Sequence, residues 1–326
     1  MSVSVASVSG ATSELSPLID APPARSAGWS WRTRALAGAM ACAGLVSAGA
    51  LAVNAGDLRS ASLGFAAPHI WYLHVPKTAT AFMLEVVYST CPDMPRADLT
   101  SPQCMYGPEA CVLGSPAFPA CAPKFAHMAM GHDSPKDEAF NDQTPFVGMF
   151  REPFNRVASG FVHAFHDCPE MTQRYGCDEH ALDLCPGVAH VTDEKVAEYF
   201  HCVQGCQGRM LTGRPCGDDG RGPVDVNEAV GRIESNFMYA GITDRFEESV
   251  KDFHRLIGAP GEVSEAAFRT SNPQRGGEQG QSIEKRVVEI LQRLQLVDEV
   301  DDAVYAAALK KNDEVHAQLE AEGEAR

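Results

Sequence analysis

Basic residues are scarce in this 326-residue chain: 27 Lys and Arg stand against 43 Asp and Glu, a formal net charge of -16. That deficit argues against a nucleic-acid binder, which needs a basic surface to displace counterions from phosphates. It also argues against a strongly polyanionic partner unless basic groups gather locally. No two cysteines stand in CxxC spacing, which removes the usual zinc-ribbon and thiol-redox patterns. No Asn-x-Ser/Thr sequon occurs, because Asn272 is followed by Pro273. No GxxxxGK[ST] loop is present, so nucleoside triphosphate binding of the Walker type has no motif to rest on. No internal repeat is present, which excludes a solenoid.

Cysteine itself is plentiful. Cys42 lies in an apolar N-terminal segment, and ten more follow it: Cys91, Cys104, Cys111, Cys121, Cys168, Cys177, Cys185, Cys202, Cys206 and Cys216. An even set on one side of a membrane fits disulfides in an oxidising compartment. The spacing leaves their connectivity open.

Residues 35–56 contain no charged side chain, a length suited to crossing a bilayer as a helix. Arg25, Arg32 and Arg34 precede this run, with Trp29 and Trp31 as interface anchors, and Asp57 follows it. Positive charge before the span predicts a cytoplasmic N-terminus and a luminal body. The expected organisation is a disordered Ser/Ala/Pro-rich tail over 1–34, a signal-anchor over 35–56, a short stem over 57–68 and a luminal body over 69–326. A cleaved signal peptide and an organelle-targeting leader are the alternatives for the same segment.

In the body, apolar runs alternate with helical patterns. Strands are expected over Ile70–Val75, Pro145–Phe150 and Phe237–Ile242. Helices are expected over Thr80–Ser89, through Val157–Phe165, over Thr192–His201 with Thr192 as cap, and over Asp244–Leu256 with Gly258 closing it. Two more close the chain, Ile283–Leu294 and Glu299–Glu320. The segments Cys91–Lys124, Asp167–Pro186 and Ser264–Gly280 have loop composition. Strands alternating with helices predict a three-layer α/β body with a mainly parallel sheet.

The turn after the first strand, His74-Val75-Pro76-Lys77-Thr78-Ala79-Thr80-Ala81, is the main chemical signal. A turn leaving a buried strand and opening a helix aims backbone N–H groups at one point, where they favour an anion. Lys77 adds a full charge, Thr78 and Thr80 add hydroxyls, and small Ala79 and Ala81 allow close approach. A solvated lysine at a helix start is the bland alternative. After the second strand comes Arg151-Glu152-Pro153-Phe154-Asn155-Arg156-Val157-Ala158-Ser159. Between the two lies Gly131-His132.

These three segments together resemble the membrane-bound, PAPS-dependent carbohydrate sulfotransferases (PAPS is 3'-phosphoadenosine 5'-phosphosulfate). Val75 to Thr80 is similar to the 5'-phosphosulfate loop of the hexuronyl 2-O-sulfotransferase branch, with Ala81 where Ser or Thr is expected. Arg151 to Ser159 resembles the family's 3'-phosphate motif, which implies that Arg151 and Ser159 bind that phosphate while Arg156 is structural or peripheral. Gly131-His132 implies His132 as the general base, with His127 as runner-up. Met130 replaces the first histidine of the branch's His-Gly-His-x-Ser. Cys206–Gly213, Tyr239–Phe246 and Asp302–Ala308 resemble three further family elements. Arg269 and Arg275 sit in a loop that can bind PAPS in relatives.

The resemblance implies a P-loop-like sulfotransferase fold, a Golgi-type, type II membrane location, PAPS as cosubstrate and 3',5'-ADP as product. It implies a glycan or other hydroxylated acceptor and chemistry without a metal, with His132 and Lys77 as the catalytic pair. Two other readings remain at this point. A kinase or NTPase would need a Walker lysine and a magnesium carboxylate, and a silent luminal binding protein would keep the fold without transfer.

Overall fold

The computed structural model describes residues 69–79, 81–91, 93–94, 116–128, 132, 134–141, 144–178, 184–217, 220–259, 263 and 277–324. All of them belong to one unit, Asn54–Arg326. The expected tail, anchor and stem over 1–68 lie outside the described residues. No helix among the described residues is long and apolar enough to cross a membrane.

Four strands form the sheet: β1 (Ile70–Leu73), β2 (Phe125–Met128), β3 (Phe146–Phe150) and β4 (Phe237–Ile242). Every pairing is parallel, in the order β2-β1-β3-β4. Parallel strands buried on both faces are near-continuously apolar, which is why β3 (Phe-Val-Gly-Met-Phe) is buried at every position. β1 ends before His74, sooner than expected, as the chain approaches Pro76 and its missing N–H.

The helices, in chain order, are α1 (Ala81–Thr90), α2 (Phe118–Cys121), α3 (Asp137–Asn141), α4 (Pro153–Val162), α5 (Pro169–Arg174) and α6 (Pro186–Ala189). Then follow α7 (Asp193–Val203), α8 (Cys206–Leu211), α9 (Val226–Asn236), α10 (Phe246–Leu256), α11 (Gly277–Arg293) and α12 (Glu299–Glu324).

Side chains alternate across each strand, so the sheet feeds two cores. Tyr72, Val147, Met149 and Tyr239 pack with Phe82, Val86, Val250 and Phe253 of α1 and α10. Leu73, Phe146, Phe150 and Phe237 pack with Met210, Ile233, Val304 and Ala308 of α8, α9 and α12. Helices therefore cover both faces. A third core lies among α4, α5, α6, α7 and α11, around Phe161, Phe165, Tyr199 and Val287.

Four disulfides staple the described residues: Cys91–Cys121, Cys168–Cys202, Cys177–Cys185 and Cys206–Cys216. Cys42, Cys104 and Cys111 lie outside them.

Several expected boundaries need correction. α11 starts at Gly277, so the last four residues of the expected loop Ser264–Gly280 are helical. The expected loop Cys91–Lys124 holds α2 and a 3-10 turn at Ala122–Lys124, and the loop Asp167–Pro186 holds α5. The helix expected through Val157–Phe165 ends at Val162, because Ala164 and Phe165 turn to positive φ. β2 and α9 carry weak signals. β2 is a four-residue Phe-Ala-His-Met strand without a β-branched residue, and only Ala229 and Ile233 of α9 are buried.

Candidate functional site

The strand order reverses between β1 and β3: the chain leaves β1 for β2 on one side and returns to β3 on the other. Ligands of open α/β sheets bind at such a switch point, outside the carboxyl ends of the strands. The two turns singled out from the sequence both begin there.

The turn after β1 is shaped by its own backbone. Lys77 (φ 64°) and Ala79 (φ 71°) both adopt the left-handed conformation on either side of Thr78. For residues with a Cβ this costs roughly 1–2 kcal/mol each, so the surroundings must hold it in place. Thr78 is buried, and its hydroxyl donates to the Val75 carbonyl at 2.7 Å, closing the turn internally. Its hydroxyl therefore serves the turn, rather than pointing at a ligand as expected. Ala81, also buried, begins α1. Left-handed residues in a turn arrange successive N–H groups into an anion-binding concavity.

The turn after β3 is held from outside. Gln207 of α8 is fully buried; its side chain accepts from the Arg151 N–H at 3.1 Å and donates to the Arg151 carbonyl at 3.0 Å. This reciprocal amide pair fixes the Arg151 peptide. The Glu152 carboxylate caps α4 by accepting from the Asn155 N–H at 2.7 Å. Arg151 then reaches across the switch point, and its Nη1 donates to the Lys77 carbonyl at 3.3 Å. Its buried Nε has no hydrogen-bond partner among the described residues. Burial pulls the guanidinium below its ordinary pKa, opposed by the carboxylates of Glu284, Asp244 and Glu152. Ser159 sits half-buried on α4, and among the described residues no hydrogen bond joins it to Arg151 or Lys77.

Arg156 is structural. It is 1% exposed, donates to the Val203 carbonyl at 2.8 Å and pairs with Asp301 at 3.4 Å. Asp298 and Asp301, both buried, accept from the Gly205 and Gly208 N–H groups at the start of α8. Asp301 is pushed up to about 7 by burial and by the neighbouring Asp298 carboxylate, against the pull of Arg156. This cluster sets α8 in place, and α8 carries Gln207.

His132 lies in the loop between β2 and α3, edge-on to His74 with ring centroids 5.1 Å apart. His74 is pushed down to about 3, first by burial and then by His132 and His166, so it is neutral at any ordinary pH. His132 Nδ1 meets Asp167 Oδ1 at 3.2 Å, and His132 Nε2 meets His166 Nε2 at 3.4 Å. Burial pushes Asp167 up, but the His132 hydrogen bond and the charges of His166 and Arg156 outweigh it and leave its pKa lowered. An ionised carboxylate on Nδ1 holds the imidazole in one orientation and in the tautomer whose Nε2 is a proton acceptor, as a general base requires, with His166 Nε2 lying against that nitrogen.

Asp167 and His166 were missed by reading the sequence, where Asp167 opened a loop. The available signal was His163-Ala164-Phe165-His166-Asp167, two imidazoles and a carboxylate at a helix end. Ala164, Phe165 and Asp167 all have positive φ. The turn is locked by the Thr172 hydroxyl on the Ala164 carbonyl at 2.8 Å, by the Tyr199 hydroxyl on the His166 carbonyl at 2.8 Å and by Cys168–Cys202. Gly160 is required beneath it, since a Cβ there would collide with the Tyr199 hydroxyl.

The structure thus brings Lys77 and Arg151 together and sets His132 beside His74, just past the end of β1. Thr80, Arg269 and Arg275 lie outside the described residues. His127 is on β2, paired in register with Trp71. A scan against protein-family models finds no match to this chain, and a search of curated proteins returns none.

Proposed function

We propose that the protein is a PAPS-dependent O-sulfotransferase with a P-loop-like, three-layer sulfotransferase fold. The reading rests on one observation above all: Arg151 and the Lys77 turn meet at the sheet's switch point, with the Nη1–carbonyl contact at 3.3 Å. Two anion-binding turns so joined suit the two ends of one adenine nucleotide, with the 5'-phosphosulfate on the Lys77 turn and the 3'-phosphate toward Arg151 and Ser159. The partnerless Arg151 Nε supplies a buried donor that a phosphate oxygen satisfies.

In the proposed reaction the acceptor hydroxyl oxygen attacks sulfur in line. The S–O bond to the 5'-phosphate breaks, and 3',5'-ADP departs. His132 Nε2 takes the hydroxyl proton, and the Asp167 carboxylate steadies the imidazolium. Lys77 and the turn amides stabilise charge on the leaving phosphate, where one preorganised donor is worth about 10²–10³ in rate. As in phosphoryl transfer, positioning and electrostatics carry the step.

The acceptor class we favour is a carbohydrate hydroxyl, neutral or lightly charged given the acidic chain. The four disulfides fit an oxidising compartment, and the proposed site of action is the Golgi lumen.

The test is transfer from ³⁵S-labelled PAPS to a glycan panel, with calorimetry for 3',5'-ADP. Expected results are measurable 3',5'-ADP affinity, about 10²-fold or more weaker transfer for Lys77→Ala, and comparable loss for His132→Ala with nucleotide binding retained. Absence of 3',5'-ADP binding by folded protein overturns the reading.

A further inference from the structure

We propose that His132, His166 and Asp167 form a Zn²⁺ site that switches the base off. The metal-binding part stands on geometry alone, and its inhibitory consequence rests on the sulfotransferase reading. Tetrahedral zinc holds His nitrogens at about 2.0–2.1 Å, which sets ligand atoms roughly 3.3–3.4 Å apart. His132 Nε2 and His166 Nε2 are 3.4 Å apart. His166 Nε2 and Asp167 Oδ2 are 3.7 Å apart. One donor atom from each of the three residues lies within 4.8 Å of the other two.

A second, independent observation points to a cation. Asp167 Oδ2 is buried and accepts no hydrogen bond, while its Oδ1 is taken by His132 Nδ1. A buried carboxylate oxygen without a donor carries an uncompensated cost that a bound cation removes. The three side chains are partly exposed, at 25%, 16% and 20%, so an ion has a route in. Three protein ligands leave one tetrahedral position for water. The Nε2 lone pair that takes the acceptor's proton is the same pair that binds the metal, so the two uses exclude each other.

The tag-free full-length chain is titrated with Co²⁺ as a spectroscopic probe and with Zn²⁺ against a chromogenic chelator. The expected result is one tetrahedral site, with visible Co²⁺ bands displaced by Zn²⁺. His166→Ala and the near-isosteric Asp167→Asn each weaken Zn²⁺ by about 10-fold or more, with fold checked by circular dichroism. His316→Ala reports on the other candidate cluster, Glu248, Asp252 and His316. It is expected to leave the bands unchanged. Loss of the bands in His316→Ala, or their retention in folded Asp167→Asn and His166→Ala, overturns the site. In parallel, stoichiometric Zn²⁺ is expected to suppress ³⁵S transfer, with restoration by chelator. Metal binding with undiminished transfer overturns the switch. Metal binding in a protein inert toward PAPS supports the site and overturns the sulfotransferase reading alone.

Discussion

The turns that leave β1 and β3 stand side by side, yet they are held by opposite means. The β1 turn closes mainly on itself through left-handed Lys77 and Ala79 and the buried Thr78 hydroxyl, with one long-range bond from Arg151 to the Lys77 carbonyl. The β3 turn is clamped by distant parts of the chain: Gln207 on α8, which in turn rests on Asp298, Asp301 and Arg156. A local turn keeps its shape at the cost of backbone strain, whereas a clamped turn keeps it through buried polar contacts that fail together.

Substitutions can break this contrast. Arg156→Ala is expected to have the largest effect. It leaves the buried Asp301 carboxylate without its ion-pair partner, and removal of one partner of such a pair costs about 3–5 kcal/mol. Urea unfolding under non-reducing conditions measures it, and Asp301→Asn in the same background is expected to recover part of the loss. Little change from Arg156→Ala would mean that α8 stands without the cluster.

The pH dependence comes next. Asp301 is raised in the folded state, so the folded protein holds a proton that the unfolded chain releases near the ordinary carboxylate value of about 3.9. Its contribution to stability therefore declines as pH rises from about 4 toward 7, by at most about 1.4 kcal/mol per pH unit. Asp301→Asn is expected to flatten that part of the stability profile, and an unchanged slope would exclude Asp301 as its source.

Gln207→Ala removes both bonds to the Arg151 peptide, with an expected loss of about 1–3 kcal/mol. It should also weaken 3',5'-ADP binding, because Arg151 loses its fixed backbone. Unimpaired nucleotide affinity would show the β3 turn to be self-supporting after all. The smallest effect is expected at Ala79→Gly. Glycine relieves a left-handed alanine but adds freedom to the unfolded chain, for a net gain of no more than about 1 kcal/mol. A loss at this position would place the strain elsewhere.

The same contrast explains what could be read from the residues alone. The β1 turn was legible because its determinants are contiguous: an apolar strand, Pro76, Lys77, Thr78 and small residues opening a helix. Arg151 was legible for the same reason, as the first residue after a buried strand. Thr78 was legible as part of the turn but not in its role, since only the folded turn shows its hydroxyl spent on Val75. Asp167 and His166 were not legible, because a loop histidine and aspartate gain meaning only once Tyr199 and Thr172 fix their turn against His132.

Composition and periodicity by themselves determined the alternation of strands and helices, the parallel sheet they build and the two turns at strand ends. These are local matters of burial pattern and turn chemistry. Only the tertiary structure decided which cysteines pair, that Arg156 turns inward to the α8 carboxylates, and that an imidazole and a carboxylate 35 residues apart become one dyad. Those outcomes depend on packing between remote segments, whose distances no single stretch of chain encodes.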